Sequence, residues 1–210
     1  MTSVEKAIAQ SLLKIKAVKL SPSEPFTWAS GWNSPIYCDN RVTLSYPEIR
    51  KQIYQSFAQL IAEKYPEAEL IAGVATGAIA HGVLVAEEMQ KPFIYVRSAP
   101  KGHGLGNQIE GQYTKGQKVV VVEDLISTGG SSLSAVEALR QAGVEVLGMV
   151  AIFTYGFKTA EDNFAAANVK VNTLSCYNAL IESALESGYV KENQLNDLKE
   201  WRIAPDKWRK

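Results

Sequence analysis

The sequence predicts an α/β fold built around a mainly parallel sheet with helices on both faces. From Leu70 onward, short apolar runs alternate with helical patterns. The run KVVVV (118–122) is β-branched over most of its length, which is typical of a strand buried on both faces. Such strands occur in parallel sheets that helices cover on either side.

The N-terminal part of the chain predicts two helices separated by an irregular segment. Apolar residues recur at helical spacing from Val4 to Ile15, so residues 3–18 predict an amphipathic helix. Residues 21–41 are rich in Pro, Ser, Gly and aromatic residues, which predicts turns and short strands. Pro47 then begins a second helical pattern, because proline is tolerated in the first turn of a helix.

The remaining chain predicts five strands with helices between them. The strands are assigned to residues 70–74, 93–96, 118–122, 145–153 and 169–175. One helix follows the first strand as far as about Gln90. Another runs from about Gly130 to Gln141, and Gly143 is expected to end it.

A chain of 210 residues fits one domain with small additions. We expect an N-terminal helix and irregular segment over about 1–45, and the core sheet over about 68–175. Helical decoration is expected over about 176–210, with Trp201 packed inside it.

Composition excludes several classes of protein. The 22 Lys and Arg residues balance 22 Asp and Glu residues, so no overall charge attracts nucleic acid or a membrane. Two distant cysteines, Cys38 and Cys176, indicate a reducing compartment and hence a cytoplasmic location. No run of about 18 apolar residues is present, and the charged N-terminal segment does not resemble a secretory signal. Any anionic ligand must therefore be bound by a local site.

The segment from Val119 to Ser132 carries the strongest functional pattern. Two adjacent carboxylates, Glu123 and Asp124, follow an apolar strand and precede a turn of small and hydroxyl residues, with a helix directly after it. Ligands of parallel sheets lie beyond the carboxyl ends of the strands, and a helix N-terminus attracts phosphate. The alternative is that Ser131 or Ser132 merely caps the helix. The acidic pair favours a ribose 5-phosphate with a metal ion nearby, because hydroxyls and a cation relieve the repulsion.

At this segment the chain resembles the type I phosphoribosyltransferases, whose signature is an apolar strand, two acidic residues and a Thr/Gly-rich turn. The resemblance implies a five-stranded, mainly parallel sheet flanked by helices, with a variable N-terminal hood that encloses the base. It also implies that Glu123 and Asp124 face the ribose hydroxyls and that Asp124 is catalytic. The residues implied to bind phosphoribosyl pyrophosphate here are Glu123, Asp124, Leu125, Ile126, Ser127, Thr128, Gly129, Gly130 and Ser131.

A second segment, from Tyr95 to Gly111, carries Arg97, Lys101 and His103 among several glycines. The alternative interpretation is an exposed loop with scattered charge. Cations here would stabilise the negative charge that develops on a departing pyrophosphate. The segment resembles the catalytic loop of orotate phosphoribosyltransferases. That resemblance implies that all three side chains contact the diphosphate, that Lys101 and His103 are catalytic, and that Lys101 contributes most to the rate.

The third segment, from Phe26 to Arg41, resembles the hood of the same enzymes, in which an FT..SG..SP.Y pattern recurs. We call residues 26–41 the hood. Its aromatic and small residues are implied to enclose a flat pyrimidine, although packing is the expected role of its two tryptophans. Ala29 stands where the family often has a Lys that touches substrate, and no Arg follows Thr154, where some members bind orotate. Ser127 is therefore the expected side-chain contact to orotate.

The fourth segment, from Gly73 to Gly82, occupies the position of the family's pyrophosphate loop. The resemblance implies a cis peptide bond between Ala75 and Thr76. Gly77 replaces a Lys that is found in some members. His81 follows one helical turn later, and we expect it to be structural.

Together the four segments imply transfer of a phosphoribosyl group from phosphoribosyl pyrophosphate to orotate, giving orotidine 5'-monophosphate and pyrophosphate. Mg²⁺ is the implied cofactor, bound mainly through substrate oxygens and water rather than by a protein metal site. The alternatives are a purine phosphoribosyltransferase, which the hood pattern disfavours, and a regulator of RNA or transcription, which the balanced charge disfavours. The family also implies a homodimer with active sites shared between subunits. The balanced charge and the absence of a long apolar run predict no nucleic-acid or membrane partner.

Overall fold

The computed structural model describes residues 2–28, 30–99 and 108–209. The strands in these ranges are β1 (Val18–Leu20), β2 (Phe26–Thr27), β3 (Asn33–Ser34), β4 (Ile36–Cys38), β5 (Leu70–Val74), β6 (Phe93–Val96), β7 (Ile109–Glu110), β8 (Lys118–Ile126), β9 (Glu145–Thr154) and β10 (Val171–Cys176). The α-helices are α1 (Ser3–Lys14), α2 (Pro47–Lys64), α3 (Ile79–Glu88), α4 (Gly130–Gln141), α5 (Lys158–Ala166), α6 (Tyr177–Glu186) and α7 (Leu195–Ile203). Short 3₁₀ helices span Asn40–Ser45 and Glu192–Gln194.

The main sheet has the strand order β10-β9-β8-β5-β6-β7. Its first five strands are parallel, which confirms the predicted mainly parallel sheet. β7 is an addition to that prediction, since it runs antiparallel to β6 and pairs Ile109 with Val96. The chain passes from β5 to β6 on one side and then to β8 on the other. Ligands of open parallel sheets bind beyond the carboxyl ends of strands that flank such a reversal.

The central strand β8 is longer than the sequence predicts. It continues through the acidic pair to Ile126, which lies opposite Thr154 of β9. Glu123 and Asp124 therefore lie within the strand and not after it, which corrects the predicted boundary. The physical reason is that β9 offers backbone partners over the same length, and pairing continues wherever both strands remain extended.

Helix boundaries differ from the prediction at three places. α1 ends four residues early, because Lys16 adopts a φ of +58° and the chain then enters β1. The C-terminal helical pattern divides into α6 and α7, with Gly188 at a φ of +71° between them. α5 is absent from the prediction and forms the crossover from β9 to β10. None of the helices in the described ranges is long and apolar enough to cross a membrane.

The hood consists of small antiparallel pairs, and it is attached to the C-terminal segment of the chain. β2 pairs with β3, while β4 pairs with β1 outside the hood. Trp201 of α7 is fully buried and donates its indole N–H to the carbonyl of Asn33 at 3.2 Å. The side-chain amide of Asn33 in turn donates to the carbonyl of Arg209 at 2.7 Å. α7 and the residues after it therefore support the hood.

Candidate active site

A cavity of about 420 Å³ opens at the carboxyl ends of β5 and β8. Its walls come from residues 38–41 of the hood, 74–77 after β5, 123–125 of β8, and Ser131 of α4. We call it the acidic cavity, because carboxyl groups from both the hood and β8 line it. It lies where the topology of the sheet places a ligand site, and it brings together three of the four segments that the sequence singles out.

Glu123 lies deep in the wall of the acidic cavity and is only 4% exposed. Its Oε2 accepts a hydrogen bond from the hydroxyl of Ser132 at 2.7 Å, and its Oε1 accepts one from the backbone N–H of Asp124 at 3.0 Å. Burial, followed by the neighbouring carboxylate of Asp124, raises the pKa of Glu123 to about 8. A positive charge entering the cavity is therefore favoured, since it lets the carboxyl ionise.

Asp124 reaches into the cavity beside the turn that follows β5. Burial raises its pKa, and the charge of Arg41 opposes that rise. A Cβ atom added to Gly77 would overlap the Asp124 carboxylate, so the close approach of the two loops depends on a glycine at position 77. The Asp124 side chain occupies the space that a side chain at position 77 would take.

The turn after β8 leads into the N-terminus of α4, where Ser131 lines the acidic cavity. Gly129 adopts the left-handed conformation, with φ of +84°, and is the N-cap of α4. Gly129 has no side chain that could cap the helix, and the hydroxyl of Ser132 donates to the carboxylate of Glu123 instead of capping it. The interpretation of Ser132 as a simple cap is therefore wrong. Uncapped N–H groups and the positive end of the helix dipole suit an anion such as phosphate.

A second cavity, of about 370 Å³, lies against the hood and adjoins the first. We call it the hood cavity. Trp28 and Tyr155 form an aromatic wall, with ring centroids 5.2 Å apart, and Ser127 lies among the lining residues. Cys38 and Leu125 line both cavities and so form the boundary between them. A ligand with a flat apolar part and a polar phosphorylated part fits this pair of cavities.

Comparisons with known proteins agree with this geometry. The phosphoribosyl transferase domain family matches residues 44–183. An orotate phosphoribosyltransferase from Cytophaga hutchinsonii is 60% identical over 205 residues, which are 98% of each chain. The chain belongs to the orotate phosphoribosyltransferase family.

Solved structures related to this family share the fold. The orotate phosphoribosyltransferase of Aeropyrum pernix gives a TM-score of 0.71 at 26% identity, over 83% of this chain and 97% of its own. The UMP synthase of Leishmania donovani gives a TM-score of 0.79 at 27% identity, over 94% of this chain. This chain spans 42% of the length of that larger protein. The predicted type I phosphoribosyltransferase fold is confirmed.

The predicted cations of the orotate phosphoribosyltransferase loop are only partly described. Lys101 and His103 lie outside the described residues, as does Ala29 of the hood. Arg97 follows β6, and its Nη1 lies 3.8 Å from a carboxylate oxygen of Glu110 on β7. Its backbone N–H also donates to the carbonyl of Gln108 at 2.9 Å, so Arg97 and Gln108 lie side by side.

The segment from Gly73 to Gly82 has the backbone that the resemblance to orotate phosphoribosyltransferases implies. The peptide bond between Ala75 and Thr76 is cis. His81 is fully buried, and its Nε2 lies 3.0 Å from the hydroxyl of Thr43. Burial, followed by the charge of Arg50, lowers the pKa of His81 to about 4. This buried, neutral side chain fits the structural interpretation.

The sequence predicts no role for Asn40 and Arg41, two hood residues that line the acidic cavity. Asn40 is 1% exposed and donates its side-chain amide to the backbone carbonyl of Asp124 at 2.6 Å. Arg41 lines the cavity and forms an ion pair with Asp39. The run Cys38-Asp39-Asn40-Arg41 is the available signal, because three consecutive polar residues directly follow the short strand β4.

Proposed function

We propose that this chain transfers the phosphoribosyl group of phosphoribosyl pyrophosphate to orotate across the boundary between the acidic cavity and the hood cavity. The N1–C1' bond to orotate forms as the bond from C1' to the diphosphate breaks, and the N1 proton of orotate passes to the diphosphate or to water. The observation that carries this proposal is the pairing of a flat aromatic cavity with a cavity that combines two carboxylates and a helix N-terminus. Membership of the orotate phosphoribosyltransferase family supports the choice of base.

The acidic pair and the turn after β8 are proposed to hold the ribose 5-phosphate. Glu123 and Asp124 would accept hydrogen bonds from the ribose hydroxyls and stabilise the positive charge that develops on the sugar as the diphosphate leaves. The backbone N–H groups and hydroxyls of residues 127–131 would bind the 5-phosphate at the start of α4. Leu125 and Ile126, the last two residues of β8, separate the acidic pair from the turn.

The hood cavity is proposed to hold orotate. The wall of Trp28 and Tyr155 supplies a flat apolar surface, and Ser127 supplies a hydroxyl next to the boundary with the acidic cavity. Trp28 is itself held in place, since its indole N–H donates to the carbonyl of Ile36 at 3.1 Å. Ring stacking and one fixed hydroxyl suit a planar base with polar edges.

The departing diphosphate is proposed to meet Arg97, Lys101 and His103, with Lys101 contributing most to the rate. Cations at this position act on charge that is larger in the transition state than in the ground state. The hard carboxylate oxygens of Glu123 and Asp124 fit magnesium chemistry, although no group of three or more His, Cys, Asp or Glu side chains is placed to hold a metal in the described part of the chain. Mg²⁺ bound with the substrate would supply positive charge between the diphosphate and the ribose hydroxyls.

The assembly is proposed to be a two-fold homodimer in which each subunit's residues 101 and 103 serve the partner's active site. The proposed location is the cytoplasm, where the two free thiols of Cys38 and Cys176 remain reduced.

A product assay tests the proposed function directly. Purified protein is supplied with phosphoribosyl pyrophosphate and Mg²⁺ together with orotate, uracil, adenine or hypoxanthine in parallel reactions. We expect product only from orotate, and none when either phosphoribosyl pyrophosphate or Mg²⁺ is omitted. Turnover of adenine or hypoxanthine with none of orotate would contradict the assignment of the hood cavity to a pyrimidine.

A further inference from the structure

Arg41 is the one cationic side chain among the described residues that line the acidic cavity. It shares that cavity with the carboxyl groups of Asp39, Glu123 and Asp124. The charge of Arg41 acts on Asp124, because it opposes the rise in the pKa of that carboxyl. A substrate that carries several negative charges meets this guanidinium as soon as it enters.

The guanidinium of Arg41 is held in one orientation by Asp39. Its Nε donates to Oδ1 of Asp39 at 2.7 Å, and its Nη2 donates to Oδ2 at 3.0 Å. Within the described chain Nη1 donates to no protein group, so it keeps its two N–H donors for a ligand. The arginine side chain is 63% exposed. An exposed arginine is normally free to move, and a bidentate partner removes that freedom before a ligand arrives.

The backbone beneath Arg41 is fixed to the acidic pair. The side chain of Asn40 donates to the carbonyl of Asp124 at 2.6 Å, and the hydroxyl of Thr43 donates to the carbonyl of Asn40 at 2.5 Å. Asn40 and Thr43 are both buried. Because of these bonds, Arg41 keeps its position relative to Asp124 even if the outer part of the hood moves.

We propose that Arg41 binds the diphosphate of phosphoribosyl pyrophosphate. This inference rests on the proposed function. If the turn after β8 holds the 5-phosphate and the acidic pair holds the ribose, the second anionic group is left with the remaining walls of the cavity. Those walls are residues 74–77 and the hood residues 38–41. Residues 74–77 are Val, Ala, Thr and Gly, so Arg41 is the cation that these described walls supply. It would act together with the proposed loop cations Arg97, Lys101 and His103.

The test compares binding of three probes to wild-type protein and to the Arg41→Gln variant. The probes are phosphoribosyl pyrophosphate, inorganic pyrophosphate and ribose 5-phosphate, each measured by calorimetry with Mg²⁺. We expect Arg41→Gln to weaken phosphoribosyl pyrophosphate and pyrophosphate by about tenfold, the range of a lost charge-assisted hydrogen bond, and to leave ribose 5-phosphate unchanged. KM for phosphoribosyl pyrophosphate should rise in parallel, and KM for orotate should not.

Two further variants sharpen the result. Arg41→Lys keeps the charge but loses the bidentate fork, so its affinity for pyrophosphate should lie between those of wild type and Arg41→Gln. Arg140→Gln is the matched control, because Arg140 lies at the opposite end of α4 and, among the residues that the structure describes, donates only to the carbonyls of Ala167 and Asn168. It should bind all three probes as the wild type does.

The outcomes separate this inference from the proposed function. Equal pyrophosphate affinity in wild type and Arg41→Gln overturns the inference, as does an equal loss for ribose 5-phosphate and pyrophosphate. Wild-type protein that binds pyrophosphate through Arg41 but makes no product from orotate overturns the proposed function alone.

Discussion

At the scale of single residues, the buried carboxyl of Glu123 links substrate binding to proton release. Burial and the neighbouring carboxylate raise the pKa of Glu123 to about 8, and burial raises that of Asp124 as well, so we expect the pair to hold a proton at pH 7 without ligand. The positive charge of a magnesium–substrate complex favours the ionised pair, and the proton must leave.

We therefore predict that binding of magnesium and phosphoribosyl pyrophosphate at pH 7 releases a proton from the acidic pair. Calorimetry in two buffers of different ionisation enthalpy measures the release, and the titration should be repeated with Glu123→Gln to subtract protons released by the ligand itself. Wild type should release more protons than the variant. Identical release by the two proteins would contradict the protonated pair.

The charge of Asp124 is predicted to contribute to turnover. Asp124→Asn keeps the shape of the side chain but removes the charge that is proposed to face the ribose. It should lower turnover at least about tenfold, which is about 1.4 kcal/mol of barrier, while the fold stays intact. Glu137→Gln on the exposed face of α4 is the control for loss of a carboxylate and should keep full activity. Normal turnover in folded Asp124→Asn would show that this charge is not catalytic.

His81 is predicted to make stability depend on pH. The hydroxyl of Thr43 donates to Asn40, so it must accept from Nε2–H of His81, and the ring is neutral. The pKa of His81 is lowered to about 4, below its value in the unfolded chain, so the unfolded state binds more protons as the pH falls below about 6.5. Stability from this group is complete above that pH and is lost progressively down to about pH 4.

Urea unfolding at pH 7.5 and pH 4.5 measures this effect of His81. Between these two values the wild type should lose about 2–3 kcal/mol more than His81→Gln does, because the variant has no imidazole to protonate. All other titrating groups are common to both proteins and cancel in the comparison. Parallel losses in the two proteins would show that His81 is not held neutral by the fold.

At the scale of secondary-structure elements, α7 supports the hood cavity, the proposed site of the base, without supplying any of its described lining residues. The ring of Trp201 contacts Trp28 and Tyr155 of the hood cavity, with centroids 5.6 Å from each. Its indole N–H also donates a hydrogen bond to the carbonyl of Asn33. The position of the aromatic wall is therefore set from the side that faces away from the hood cavity.

We predict that Trp201→Phe raises KM for orotate by about fivefold or more, with a smaller change in KM for phosphoribosyl pyrophosphate. The variant loses a buried hydrogen bond, worth about 1 kcal/mol, and part of the ring packing. Leu139→Val, in the buried face of α4, removes core volume away from the hood. It should lower stability without selective loss of orotate. A uniform effect of Trp201→Phe on both KM values would mean that α7 has only a structural role.

Elements with a strong local pattern were predictable from the sequence, and those set by distant contacts were not. β5 and β6 match the predicted bounds because each is a short apolar run. α5 has only Ala160 and Phe164 buried in a polar sequence, so its helical period is weak. The bond from Asn40 to Asp124 joins residues 84 positions apart, and no local pattern contains it. The acidic pair and the turn were predictable because the chemistry and the strand–helix junction lie in one continuous segment.

At the scale of the whole molecule, the proposed shared active site makes a quantitative prediction. In a mixture of Lys101→Ala and Asp124→Asn subunits, a hybrid dimer has one active site with both defects and one with neither. Random pairing makes about half the dimers hybrid, so activity should recover to about a quarter of wild type. Each variant alone should keep at most about a tenth of wild-type turnover.

Subunit exchange must be shown independently in that experiment, for example by native mass spectrometry of the mixture. If exchange occurs and no activity returns, Lys101 serves its own subunit and the shared site is wrong. A monomer at assay concentrations would also contradict the proposal, because no partner would then be present to complete the site.

The attachment of the hood to α7 also has a consequence for the order in which the protein is made. The carbonyl of Asn33 and the indole of Trp201 are 168 positions apart, so the hood emerges from the ribosome long before its support does. β5, β8 and α4 are complete by residue 141, and β9 and β10 follow by residue 176. During synthesis, folding proceeds from the N-terminal end. A nascent chain can therefore assemble the acidic cavity first, and the hood cavity, where we propose that the base binds, is the last to acquire its final shape.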